Sequence, residues 1–184
     1  VSEVRLSFGG ARVLLVEDNE INQQVARELL ESVDVDVTIA DNGKVALEIL
    51  NRERFQLILM DLQMPQMDGV EAIRRIIGER TGSRIIILTT YATDEYIFSG
   101  IEAGAQGYLL KDSPPDEVVT AIRTVHQGDS MIQPRVASRL LDRLGQLSHA
   151  HPPETLLSVR EIEVLQVMAT GAANKEIANQ LQIG

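Results

Sequence analysis

Five short apolar runs, each cut off by polar residues and followed by a stretch of helical periodicity, constrain this chain more than any other feature. Arg12 to Val16 is a continuous strand signal that stops at Glu17-Asp18-Asn19, after which Ile21, Val25, Leu29 and Leu30 recur at helical spacing. Val35 to Ala40 alternates as a second strand. Asp41-Asn42-Gly43 then turns the chain, and Val45, Ala46, Ile49 and Leu50 form the apolar face of a second helix. Leu57 to Met60 is the third strand; beyond it Asp68 is placed to cap a helix carrying Val70, Ile73 and Ile76 or Ile77 inward. Ile85 to Leu88 is the fourth, ending in Thr89-Thr90, with a helix capped by Thr93 or Asp94. Tyr108 to Leu110 is the fifth, ending at Lys111. Ser113-Pro114-Pro115-Asp116 has a capping-box-like spacing and predicts a helix to about Gln127.

Strands that are apolar throughout and alternate with helices predict an α/β fold, a doubly wound parallel five-stranded sheet covered on both faces. In such sheets ligands sit at the carboxyl ends of the strands. The polar exceptions fall there: Glu17 and Asp18 after strand one, Asp61 after three, Thr89 after four, Lys111 after five. The chain has 184 residues, 44% hydrophobic, enough for a full domain and a smaller piece. It has no cysteine, so disulfide frameworks and thiolate metal sites are excluded. Its longest apolar runs are too short to cross a bilayer, and no signal-peptide pattern opens it, which gives a cytoplasmic reading with no membrane partner. A net charge of −10 argues against a nucleic-acid footprint over most of the surface.

Three carboxylates at one sheet edge repel: a pair about 4 Å apart costs roughly 4 kcal/mol at an effective dielectric of 20. A cation is needed to keep Glu17, Asp18 and Asp61 ionised together, and an all-oxygen set suits Mg²⁺. The metal would neutralise an incoming phosphoryl group and leave Asp61 free to attack in line. Lys111 adds a point charge and Thr89 a hydroxyl donor. Singly, each has a plain structural reading: Asp18 as a helix cap, Lys111 as a solvated lysine, Thr89 as a strand residue, Asp61 as a turn former. Together, those readings require independent coincidences at one edge.

The motifs VEDN at Val16 to Asn19, MDLQMPQMDG at Met60 to Gly69, LTT at Leu88 to Thr90 and GYLLKD at Gly107 to Asp112 resemble those of response-regulator receiver domains. The resemblance covers about Ala11 to Gln127. It implies a flavodoxin-like (βα)5 fold with strand order 2-1-3-4-5, and a sensor histidine kinase as the phosphoryl source for Asp61. It further implies that Glu17, Asp18, Asp61 and the backbone carbonyl of Gln63 hold Mg²⁺, that Thr89 and Lys111 grip the phosphoryl oxygens, and that Thr89 and Tyr108 form the switch pair. Many receivers follow the lysine with a cis proline; Lys111-Asp112, as in NarL/FixJ-type members, predicts none. Ala11 to Met60 resembles receivers of hybrid kinases and the later part NarL/FixJ regulators, a pattern that a chimera or divergence would give.

Beyond Gly128 a loop to Gln133 leads into a helix from Pro134 with Val136, Ala137, Leu140, Leu141 and Leu144 on one stripe, a core or a partner face. Gly145 to Glu154 reads as linker, and so do His149 and His151. Residues from Leu156 to Gly184, with the capping box Ser158-Val159-Arg160-Glu161 and NKEIA at Asn174 to Ala178, resemble the opening of a LuxR-type helix-turn-helix. The division expected is an extension over 1–10, a receiver over 11–127, a linker with helix over 128–155 and a truncated helix-turn-helix over 156–184. That last piece stops where a recognition helix would begin, so DNA is a partner only of a full-length form. The function expected is a phosphorylation-activated regulator of transcription that dimerises on phosphorylation. A dimerisation module that binds no DNA is the alternative. A phosphatase of the haloacid-dehalogenase type is disfavoured, because Gln63 stands where that family has its acid–base aspartate.

Overall fold

The structure, a computed structural model, describes residues 10–90 and 93–150, the last eight by their backbone alone. Its strands are β1 (Arg12–Val16), β2 (Asp36–Ala40), β3 (Leu57–Met60), β4 (Arg84–Thr89), β5 (Gly107–Leu110) and β6 (Met131–Ile132). Its helices are α1 (Glu20–Glu31), α2 (Gly43–Leu50), α3 (Gly69–Gly78), α4 (Asp94–Glu102), α5 (Pro115–Gln127) and α6 (Pro134–Ala150). The strands form one parallel sheet in the order β2-β1-β3-β4-β5-β6. The expected five strands are therefore joined by a sixth, from a segment read as loop. Met131 pairs with Gly107 and Ile132 with Tyr108, and two residues are too few to carry a period.

Because successive strand residues point to opposite faces, each strand feeds two cores. Leu14, Val16, Ile58, Met60, Ile85, Ile87 and Tyr108 pack with Ala46 and Leu50 of α2, Ile73 and Ile76 of α3, Ile97 of α4 and Val136 of α6. Val13, Leu15, Leu57, Leu59, Ile86 and Leu109 pack with Leu30 of α1 and with Val118, Ala121, Ile122 and Val125 of α5. Each fully buried Leu or Ile contributes roughly 2 kcal/mol before the entropy of ordering it is counted. Ile76, not Ile77, is the inward residue of α3.

Three local expectations are corrected. On α1 only Leu30 is buried: Ile21 is 74% and Val25 64% exposed, because the inner side of the first turns is given to Asn22, Gln23 and Ala26. That helix is capped by Asn19, whose side chain accepts from the Ile21 and Asn22 N–H groups, so the plain reading of Asp18 as its cap does not hold. Ser113 does not cap α5, which starts on Pro114 and Pro115, where missing N–H groups need no acceptor. Finally, α6 runs through Gly145 to Ala150, since one interior glycine costs only about 1 kcal/mol among good helix formers. Of the expected stripe, Val136 is buried and Leu140 packs against the same core, while Leu141 is exposed.

Asn42 and Asp68 cap α2 and α3, Thr93 caps α4 without a side-chain hydrogen bond, and α5 ends on Gly128 in the left-handed conformation. No peptide bond among the described residues is cis, Lys111-Asp112 included. No helix among them is long and apolar enough to cross a membrane. The readings for residues 1–9 and 151–184 lie outside the described residues.

Candidate functional site

The parallel ladder itself assembles the site. Val16 is in register with Ala40 and Met60, and the next residue on each side continues the pattern: Glu17 N–H donates to the Ala40 carbonyl at 3.0 Å, and Asp61 N–H to the Val16 carbonyl at 2.9 Å. Glu17 and Asp61 thus leave neighbouring strands one residue past the last rung, 3% and 5% exposed, with Asp18 exposed beside them. Carboxylate oxygens of the three lie within 4.8 Å of one another. A compact all-oxygen set of this kind fits a hard divalent cation such as Mg²⁺.

Lys111 reaches the same point from β5, its backbone N–H bonded to the Thr89 carbonyl at 2.9 Å. Its Nζ lies 2.6 Å from Asp61 Oδ2 and 2.5 Å from Glu17 Oε2. The remaining Asp61 oxygen, Oδ1, accepts the Leu62 N–H at 2.7 Å. Burial alone would lower the Lys111 pKa, but hydrogen bonds and charge from Asp61 and Glu17 outweigh it and hold the ammonium above its ordinary value. Removing that ammonium leaves two buried carboxylates facing each other. Lys111→Ala is expected to cost about 2 kcal/mol at pH 7, less than a fully enclosed pair because the cleft admits water. Urea unfolding of parent and variant at pH 7 checks this: equal midpoints would mean that the ammonium does not hold the two carboxylates together.

Thr89 is fully buried at the end of β4. Tyr108, also fully buried, projects into the core on the α2–α4 side; burial and, second, the charge of Asp61 push its phenol pKa up, so it stands within the field of the site. Gln63 is exposed in the loop leaving β3. The structure thus brings Glu17, Asp18, Asp61 and Lys111 together, ties Thr89 to Lys111 through the backbone, and sets Tyr108 on β5, three residues before Lys111.

Residues missed in the sequence complete the arrangement. Glu17 Oε1 accepts from the Asn19 N–H at 3.2 Å and from Asn22 Nδ2 at 3.1 Å, while Gln23 Nε2 donates to the Glu17 carbonyl at 2.7 Å and to Asp41 Oδ1 at 3.0 Å. The available signal was two amides on the side of α1 that should have been apolar. Beside the acidic cluster a cavity of about 160 Å³ opens between α1 and α5, apolar at Val25, Leu29, Leu88 and Pro115 and polar at Asp61 and Lys111.

A parallel sheet in this strand order, with a lysine bridging two carboxylates at its carboxyl edge, defines a receiver domain, and residues 13–123 match the family model for the response regulator receiver domain. Residues 155–184 match the model for bacterial regulatory proteins of the luxR family. The transcriptional regulatory protein LiaR of Bacillus subtilis is 37% identical over 174 residues, covering 94% of this chain and 82% of LiaR. A LuxR-family response regulator from Aurantimonas superposes with a TM-score of 0.70 at 29% identity, over 74% of this chain and 99% of that one. The receiver domain of the sensor histidine kinase PA1611 from Pseudomonas aeruginosa, which has a magnesium ion coordinated in its active-site cleft, gives 0.62 at 33% identity, over 65% and 100%. The chain belongs to the NarL/LuxR family of two-component response regulators. It is a phosphorylation-activated regulator of transcription, and the relatives it matches are named as transcriptional regulatory proteins.

Proposed function

We propose that Asp61 is the phosphoryl acceptor, Lys111 and Thr89 the groups that hold the phosphoryl oxygens, and Thr89 with Tyr108 the pair that carries the change away. The observation that supports this most is the Lys111 ammonium bridging Asp61 and Glu17 at 2.6 and 2.5 Å. An anionic acceptor held against a buried cation is ready for a group that brings more negative charge. Side-chain oxygens of Glu17, Asp18 and Asp61 and the backbone carbonyl of Gln63 would hold Mg²⁺. When bound, the ion supplies positive charge that offsets that of the arriving phosphoryl oxygens. The donor is a phosphohistidine of a sensor kinase: an Asp61 oxygen forms the new O–P bond as the N–P bond breaks, and the imidazole nitrogen keeps the electron pair. Loading the site draws the Thr89 hydroxyl toward the phosphoryl group, and Tyr108 follows into the space vacated.

The corrected face of α1 has a place in this scheme. Val25, which lines the cavity that leads to Asp61, and Ile21, one helical turn before it, are both exposed and serve as the apolar contact for the kinase. With a phosphohistidine kinase that labels the parent protein, Ile21→Gln with Val25→Gln is expected to slow transfer about tenfold or more, the loss of a modest hot spot. Acetyl phosphate, which needs no docking face, should label parent and variant alike. Equal slowing with both donors would count against the assignment. The output is a phosphorylation-promoted homodimer, read by sedimentation with and without beryllofluoride. DNA is engaged through the luxR-type part, and the cytoplasm is the compartment.

A further inference from the structure

Gln133 occupies a branch point. In the parallel pairing of β5 and β6, Met131 N–H donates to the Gln106 carbonyl at 3.0 Å and Gln133 N–H to the Tyr108 carbonyl at 3.1 Å. The next bond of such a ladder would run from Leu110 N–H to the Gln133 backbone carbonyl. That carbonyl is already engaged: it accepts the Val136 and Ala137 N–H groups, both at 2.9 Å, and so starts α6. The side chain takes over instead. Gln133 Oε1 accepts the Leu110 N–H at 3.3 Å, and Gln133 Nε2 donates to Glu117 Oε2 of α5 at 3.1 Å. Gln133 is 6% exposed, so these bonds are shielded from water and costly to leave unmade.

One buried residue therefore grips β5 on both sides of Leu109, directly after Tyr108 and directly before Lys111, while its own carbonyl begins α6. Val136, the first buried residue of α6, lies in the same core cluster as Tyr108. We propose that Gln133 is the positioning residue through which α6 reads the state of Asp61: a movement of the β5 backbone between Tyr108 and Lys111 moves or breaks the Gln133 bonds to Tyr108 and Leu110, and with them shifts the carbonyl on which the first turn of α6 is seated. This rests on the reading of Asp61 as acceptor and of Tyr108 as part of the switch.

The test follows amide hydrogen exchange of Val136 and Ala137 in the full chain, with magnesium alone and with magnesium and beryllofluoride, beside acetyl phosphate labelling of Asp61. The parent protein should change exchange at these amides by at least about fivefold on loading, the low end of ordinary coupling between sites. Gln133→Ala should keep the labelling of Asp61 within about twofold, as for a change remote from the chemistry, and lose the response of α6. Gln133→Glu should lose it too, by setting a second carboxylate against Glu117. Adding Glu117→Gln to that variant exchanges donor and acceptor across the same contact and should restore the response, which a mere loss of packing would not permit. A full response in Gln133→Ala, or no rescue in the double variant, overturns the inference. Labelling of Asp61 with an unresponsive α6 in the parent overturns it alone, whereas no labelling overturns the functional reading and this inference with it.

Discussion

An Asp61→Asn chain given magnesium and acetyl phosphate is expected to take up no phosphoryl group, with labelling at least about 10³-fold slower than in the parent, the scale on which loss of a nucleophile is felt. Two causes act together. An amide oxygen carries only a partial charge, and the nitrogen lone pair is delocalised into the carbonyl, so neither atom attacks phosphorus as a carboxylate does. The cluster of Glu17, Asp18 and Asp61 also loses one of its three charged donors. Asparagine matches aspartate in shape and keeps an oxygen for the Leu62 N–H, which Asp61 Oδ1 now accepts at 2.7 Å, so the fold should survive. Circular dichroism on the same sample separates lost chemistry from lost structure. Intact-mass and peptide mapping decide the rest: full labelling of the variant, or a phosphoryl group on Glu17 or Asp18, would remove Asp61 from the role.

Gly69→Ala should do more damage than the same change at the other glycines among the described residues. A Cβ at Gly69 would stand 2.1 Å from the Asp61 carbonyl oxygen and 2.8 Å from Leu62 Cα, and both are backbone atoms with no rotamer to give way. The Gly69 N–H also donates to the Leu62 carbonyl at 2.9 Å, closing the loop back on the residue after Asp61. The start of α3 thus rests on the backbone of Asp61. Relief requires opening that loop, at a cost of about 3 kcal/mol. We expect a lowered urea midpoint together with slower acetyl phosphate labelling. Gly78→Ala is the control: nothing lies within 4 Å of its Cβ, and in the last turn of α3 it should be neutral or stabilise by up to about 1 kcal/mol. If both variants behave alike, the close approach at Gly69 is not what constrains the loop.

The parts of the molecule that were legible in its sequence share a physical cause. A strand buried on both faces must be apolar at every position, so the end of each run marks the sheet edge; Leu57–Met60 matches its expected span, and β5 adds only Gly107 to its own. The same rule found the site, since Glu17, Asp61, Thr89 and Lys111 stand at or just past those ends. Asp68 was readable as a cap because its side chain sits one residue before a long apolar period, and it does accept from the Glu71 N–H. The strand order was not derivable from any residue and came with the resemblance.

What stayed hidden has causes as well. Apolar spacing on α1 finds a stripe but not which side of the helix faces the sheet, and the amides of Asn22 and Gln23, spent on Glu17, carry no periodic signal. The two residues of β6 fall below the length at which alternation means anything. The role of Gln133 depends on which of its carbonyls the following helix consumes, a matter of three-dimensional accounting alone.

The shortness of β6 bears on how copies of the protein meet. A long bare edge of a sheet is a template for another chain, and contacts made that way tend to grow and to resist undoing. Here the outermost strand on the β5 side is two residues long and runs at once into Gln133, which turns inward, and Pro134, which has no N–H to offer. At the opposite margin β2 opens with an exposed aspartate, Asp36. Self-association by extending the sheet is thereby discouraged at both margins, and the homodimer proposed above would be left to side chains on the helical surfaces. Such contacts would dissolve as readily as they form, as a signal that must be switched off requires.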